Sequence, residues 1–190
     1  MSSITDLAGN AGSGTVRIVL PRATKFIFQT VSYRLSGDLN GVAGADSLCA
    51  NDSQNPHDGS VYKALVSDGN SRIACTTPNC SAGGASENKG WVLLPYVTYT
   101  SLPQPYVPEG WSIGTTNAAG ILQFPLQTFI GAGGATGLNG DWTSSSNNCG
   151  GSTSSSGYVT YGNGTYDSTA IDYSVEACSG YVLTFYCVQQ

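Results

Sequence analysis

Two runs decide the fold: LNGVAGADSLCA, residues 39–50, and GYVLTFYCVQQ, residues 180–190. In the first, Val42, Ala45, Leu48 and Cys49 recur at helical spacing and give a narrow apolar stripe. The spacing predicts a short amphipathic helix ending in a cysteine. Ser36, Gly37 and Asp38 break the chain before it, and Asn40 is expected as its N-cap. Its two interior glycines lower helical propensity, so the helix needs tertiary packing, and a disulfide from its last turn would anchor it. In the second run, Tyr181, Leu183, Phe185 and Cys187 share one face of a strand, and Val182, Thr184, Tyr186 and Val188 share the other. Both faces are largely apolar, which predicts a central strand.

Outward from these runs, KFIFQTVS (25–32) alternates and reads as a strand, with Phe26 and Phe28 on one face. VYKALVS (61–67) is a second strand, turned by DGNS. GWVLLPYVTYT (90–100) is strand-like but interrupted by Pro95. Residues 101–120, with Pro103, Pro105 and Pro108, read as a long ordered loop. LQFPLQTFIG (122–131) is expected to hold a second short helical turn. GYVTYGNGTY (157–166) carries two short alternating runs around a turn. Residues 131–157 are nearly all Gly, Ser, Thr and Asn. They could pass for a linker, but Trp142 and Cys149 argue that they are tied down. Trp91 and Tyr181 are assigned to the core.

The length of 190 residues fits one domain with a single sizeable core. Residues 1–22 are expected to be a linker or the tail of a preceding domain, because SITDLAGN resembles the last strand and turn of bacterial immunoglobulin-like surface domains; a disordered terminus is the alternative. Residues 23–190 form the main domain. No leader is visible in residues 1–22, and any native leader is expected to have been cut away. No apolar run approaches the ~20 residues that a membrane helix needs.

Charged residues make up only 10% of the chain, and 25 glycines accompany abundant Ser, Thr and Asn. Seven Lys and Arg against a net charge of −5 make nucleic acid, heparin and anionic lipid poor partners, because each requires clustered cations. Six cysteines in an oxidising compartment would pair, and six allow fifteen pairings. Structural zinc is disfavoured, since Cys75 and Cys80 are the only close pair and His57 the only histidine. A bond between Cys75 and Cys80 would close a small turn, TTPN.

Catalytic chemistry finds little support. His57 sits in a loop with no evident nucleophile or orienting partner, no GxSxG elbow exists, and Asp38, Asp46, Asp52, Asp58 and Asp68 lie near turns, where aspartate caps backbone amides. Eleven tyrosines and three tryptophans among hydroxyls and amides match the composition of adaptable recognition surfaces. The candidate binding residues are Tyr96, Tyr99, Tyr106, Trp111, Trp142, Tyr158 and Tyr161, against the plain alternative that half of them fill the core.

GVAGADSLC, VYKALVSD, TGLNGDWTSSSNNCGGST and ACSGYVLTFYCV, in that order, resemble endostatin, the C-terminal domain of collagen XVIII. They are closer still to the leptospiral endostatin-like surface proteins. The resemblance covers residues 24–190. It implies nested bonds, Cys49 with Cys187 and Cys149 with Cys178, leaving Cys75 with Cys80. It also implies a C-type-lectin-like α+β domain: a highly twisted antiparallel sheet, two short helices, long loops and three disulfides. The chain departs from that pattern at Ala135 and at 150–153, where tryptophans are usual. The zinc-binding histidines and heparin-binding arginines of endostatin are absent, so neither property is carried over.

The expectation is therefore a non-catalytic binding module on the outer face of a bacterial cell, lipid-anchored or on a stalk. The family implies contact with host extracellular-matrix proteins such as laminin and fibronectin, or with complement regulators such as factor H. A carbohydrate-binding lectin domain and a structural cap on a surface stalk are the alternatives. No cofactor is expected. Calcium stays open because lectin-like folds often bind it in long loops, although no EF-hand loop and neither EPN nor QPD occurs.

Overall fold

The computed structural model describes residues 4–5, 11–12, 24–31, 34–36, 38–76 and 86–190. A five-stranded sheet organises it. In chain order its strands are β3 (Thr24–Gln29), β5 (Tyr62–Ala64), β6 (Thr98–Ser101), β7 (Ser112–Thr115) and β11 (Tyr186–Gln189), in the spatial order β5-β11-β3-β6-β7. Three small pairs flank it: β1 (Ile4–Thr5) with β2 (Ala11–Gly12), β4 (Arg34–Ser36) with β10 (Ser179–Leu183), and β8 (Tyr158–Tyr161) with β9 (Ser174–Ala177). A right-handed α-helix, α1, spans Val42–Asn51, a single turn, α2, spans Cys149–Ser152, and a short 3-10 helix spans Ser168–Ala170. The architecture is mixed α+β and mostly sheet.

Strand alternation sorts side chains into two cores, one on each face of the sheet. On β11, Tyr186 and Val188 enter one cluster, and Cys187 enters the other together with the preceding Phe185. On β3, Ile27 joins the first, and Phe28, with Phe26 against it, joins the second. α1 covers the second face with Ala45, Leu48 and Cys49. Among the described residues, the only helix over the first face is the short 3-10 turn Ser168–Ala170, which buries Ala170. Loop residues cover the rest: Val92, Leu93, Leu122, Leu126, Leu138 and Trp142, all buried.

The closing run is central, as its two apolar faces require, but it is two strands and not one. β11 lies between β3 and β5, whereas β10 leaves to pair with β4. The break falls at Thr184–Phe185, where side-chain hydrogen bonds join the backbone bonds from the Thr30 N–H to the Phe185 carbonyl and from the Ala135 N–H to the Thr184 carbonyl. Thr30 Oγ1 accepts from the Phe185 N–H at 3.0 Å, and Gln29 Nε2 donates to Thr184 Oγ1 at 2.7 Å. The Tyr181 side chain, assigned to the core from sequence, lies outside the described residues.

Several expectations are corrected. The sheet is not purely antiparallel, because β3 and β6 run parallel. Such a pair needs a long crossover, and the segment between them carries α1 and β5. Residues 101–120 contain β7, which pairs with β6 across an irregular register. Residues 122–131 are not helical, and Pro125 offers no N–H to a helix. That segment instead lines the outer edge of β7, with the Gln127 N–H donating to the Ile113 carbonyl at 2.8 Å. The residue at the N-cap is Gly41, with no side-chain cap, and Asn40 precedes it at φ 61°. Gly44 is required where it stands, because a Cβ there would overlap the Leu39 carbonyl oxygen. What reads as a propensity cost is a close approach of backbone to helix.

α2 is the second helical element, and it is left-handed. Cys149, Gly150, Gly151 and Ser152 have φ of 52°, 60°, 72° and 62°. The Ser152 N–H bonds to the Asn148 carbonyl and the Thr153 N–H to the Cys149 carbonyl, at 2.9 and 3.1 Å. A left-handed turn costs about 1–2 kcal/mol per non-glycine residue, which the two glycines halve. Asn148 steadies it by accepting from the Gly151 N–H, and Cys149 is held covalently.

Two disulfides are described, Cys49–Cys187 with Cα atoms 5.5 Å apart and Cys149–Cys178 with 5.7 Å, the second nested inside the first. Both lie in the α1-side core. The expected Cys75–Cys80 bond falls outside the described residues, because Cys80 does.

An ion pair guards the free edge of β5. Arg72 meets Asp46 with two contacts of 2.8 and 2.7 Å. Asp46 Oδ1 also accepts the Ala64 N–H at 2.9 Å, and Arg72 Nη1 donates to the Ala64 carbonyl at 2.8 Å. The two charges complete the hydrogen bonds that a neighbouring strand would have made.

Candidate functional site

The seven aromatic residues singled out from sequence separate into surface and core. Tyr106 is 95% exposed, and Tyr96, Trp111 and Tyr158 each present more than half of their surface. Tyr99 and Trp142 are corrected to the core. The Tyr99 ring is fully buried, its hydroxyl oxygen accepts the Leu94 N–H at 2.9 Å, and burial pushes its pKa up to about 12. Trp142 stacks on Phe124 at 5.6 Å and meets Trp91 edge-on at 6.1 Å. Trp91 itself is partly buried, and its Nε1 donates to the Gly120 carbonyl at 2.8 Å. Tyr161 is half-buried and packs edge-on against Tyr173 at 5.9 Å. Large rings bury whenever an apolar face accepts them, so composition alone does not separate the two groups.

Tyr106 and Trp111 share one arm, the segment between β6 and β7. At its tip, Gln104 and Val107 exchange both backbone hydrogen bonds at 3.0 Å, so Pro105 and Tyr106 occupy the centre of a two-residue turn. At its base, the Ser101 N–H donates to the Trp111 carbonyl at 2.8 Å, and the Trp111 N–H donates to Ser101 Oγ at 2.9 Å. The arm is ordered by its own backbone, so an exposed ring there loses little entropy on binding.

Tyr96 sits at the other end of β6, after Pro95, at φ 58°. The left-handed region suits glycine, and a bulky residue there carries strain. Its ring stays 61% exposed, so burial does not offset that cost. Phe129, Tyr166 and Tyr173 are also exposed and were not singled out from sequence.

An open polar cleft of about 430 Å³ lies elsewhere. Its walls come from residues 40–43 at the start of α1, the turn at 68–71, and residues 148–153 around α2. The Leu39 and Gly41 N–H groups both donate to the Ser152 carbonyl at 2.9 Å, locking the left-handed turn against the helix start. Burial would raise the Asp68 carboxyl, but hydrogen bonds from the Ser71 hydroxyl and the backbone N–H groups of Arg72, Asn70 and Ser71 outweigh it and hold its pKa below 3.8. Because the cleft draws on three separated segments, no sequence motif marks it.

His57 is exposed, with its backbone N–H donating to Asn55 Oδ1 at 2.9 Å. Asp52 and Asp58 accept from the backbone amides of Gln54 and Ser60. No group of three or more metal-ligating side chains occurs among the described residues, and no described helix is long and apolar enough to cross a membrane.

The chain belongs to the DUF1554 family, described as a protein of unknown function, whose family model matches residues 32–170. No curated protein matches the chain, and no solved structure does.

Proposed function

We propose that this DUF1554 domain is a non-catalytic recognition module on the outer face of a bacterial cell, of the endostatin-like, C-type-lectin-like kind. Two nested disulfides support an oxidising compartment, and their pairing is the one that the endostatin resemblance implies. The observation that carries the recognition reading is the arm of residues 102–111. It holds Tyr106 in solvent on a hydrogen-bonded turn, with Trp111 at its base. Tyrosine and tryptophan supply large contact area at small conformational cost. The partners that the endostatin-like resemblance implies are host matrix proteins such as laminin and fibronectin, or complement regulators such as factor H.

Binding to immobilised laminin, fibronectin and factor H, measured by surface plasmon resonance, tests this. Tyr106→Ala with Trp111→Ala should weaken binding at least tenfold without moving the thermal midpoint, since alanine at an aromatic anchor typically costs about 2 kcal/mol or more. With only seven Lys and Arg in the chain, affinity should change little with added salt. Absence of binding to any matrix protein, serum protein or glycan favours a structural cap.

A further inference from the structure

We propose that the polar cleft between α1, the turn at 68–71 and the left-handed turn α2 binds an uncharged, polyhydroxyl ligand, a single saccharide unit or the end of a glycan. This goes beyond the aromatic recognition surface, and its failure would leave that reading standing. The volume of about 430 Å³ lies within the ~300–1,000 Å³ typical of small-molecule sites. The composition of the walls sets the class of ligand. They contain no Lys, Arg or His, and no aromatic ring. Their one carboxylate, Asp68, is taken up by the Ser71 hydroxyl and three backbone N–H groups, so it is poorly placed to ligate a cation. Its negative charge also opposes the partial positive charge at the start of α1, so an anion gains little. What remains is hydrogen bonding.

Donors and acceptors for such a ligand are present on two of the three walls, the start of α1 and the turn at 68–71. The side-chain amides of Asn40 and Asn70 make no hydrogen bond among the described residues, and both are exposed. The Val42 and Ala43 N–H groups lie in the first turn of α1, where no intrahelical partner exists and no side chain caps the helix. Asn148 is already committed: Nδ2 donates to the Ser145 carbonyl at 3.1 Å, and Oδ1 accepts from Gly151. It shapes the wall and leaves binding to Asn40 and Asn70. Vicinal hydroxyls, each both donor and acceptor, match such a mixed set, whereas an apolar ligand would leave these groups desolvated and unpaired.

The test is amide chemical-shift mapping of the folded, oxidised domain. Methyl α-mannoside, methyl β-galactoside, N-acetylglucosamine and trehalose serve as probes up to about 50 mM, which reaches millimolar affinity. Inorganic phosphate and calcium chloride are run in parallel. Saturable shifts at Val42, Ala43, Gly150 and Gly151 with at least one saccharide are expected. Asn40→Gly with Asn70→Ala should raise the dissociation constant at least about fivefold through the lost hydrogen bonds. Glycine accepts the φ of 61° at position 40, so this variant should keep its thermal midpoint. No saccharide-induced shift at these amides overturns the proposal. So do shifts produced by phosphate or calcium alone, and so does saccharide binding that the double variant leaves unchanged.

Discussion

Removing the outer disulfide should cost more stability than removing the inner one, and the structure sets the difference. Cys49 and Cys187 are 138 residues apart, and Cys149 and Cys178 are 29 apart. In the chain-entropy treatment these rings contribute about 5.0 and about 3.6 kcal/mol. Nesting changes this slightly. The inner bond short-circuits its own span and leaves an outer path of roughly 110 residues, worth about 4.8 kcal/mol. All four cysteines are buried in the same core, so packing losses largely cancel in the comparison. The variants are the paired Cys49→Ala/Cys187→Ala and Cys149→Ala/Cys178→Ala, which leave no stray thiol. Equilibrium urea unfolding, followed by near- and far-ultraviolet circular dichroism, reads the result. The outer pair should lower stability by about 1 kcal/mol more than the inner pair, and by roughly 10–20 °C in thermal midpoint against the parent. If the inner variant loses as much as the outer, or the outer loses less than about 2 kcal/mol, the chain-closure account of this fold is wrong.

Two buried tyrosines should respond in opposite directions to loss of the hydroxyl. Tyr62 packs against Phe28 at 5.2 Å, its hydroxyl has no hydrogen-bond partner among the described residues, and burial, with the charge of Asp58, pushes its pKa up to about 12. Tyr62→Phe should leave thermal stability unchanged or raise it by up to about 1 kcal/mol. The Tyr186 hydroxyl donates to the Gly131 carbonyl at 3.1 Å and accepts from the Gly134 N–H at 3.3 Å, so Tyr186→Phe should cost about 1–3 kcal/mol. Asp68 sets an acid limb. Its pKa is held below 3.8 in the fold, so its stabilising share is complete above that value and is lost as pH falls through the folded pKa. Thermal midpoints of Asp68→Asn and parent, compared from neutral pH down through this window, should converge at the acid end. A constant gap at all pH values would show that the carboxylate charge is not what matters.

What the sequence made legible followed local patterns. Alternation in residues 25–29 placed Ile27 against Phe26 and Phe28 on opposite faces, and the two-faced apolar run ending at Val188 required a central strand. The stripe of Val42, Ala45, Leu48 and Cys49 was enough for α1. Of the seven candidate aromatics, Tyr96, Tyr106, Trp111 and Tyr158 do lie at the surface. The misreadings share one cause. Whether Tyr99 and Trp142 face water depends on loops that come from elsewhere in the chain, and no local pattern carries that information.

The sequence by itself determined an α+β domain rich in hydroxyls and amides, a short helix near the front, a central closing strand, and too little positive charge for a polyanion. Tertiary structure alone decided that β3 and β6 run parallel, that the closing run divides at Thr184, that CGGS winds left-handed, and that three distant segments meet in a polar cleft. The physical reason is range. Periodicity and turn chemistry act over a few residues, whereas strand neighbours, an Asp46–Arg72 clamp on a free edge and a shared cavity depend on contacts between residues far apart in the chain.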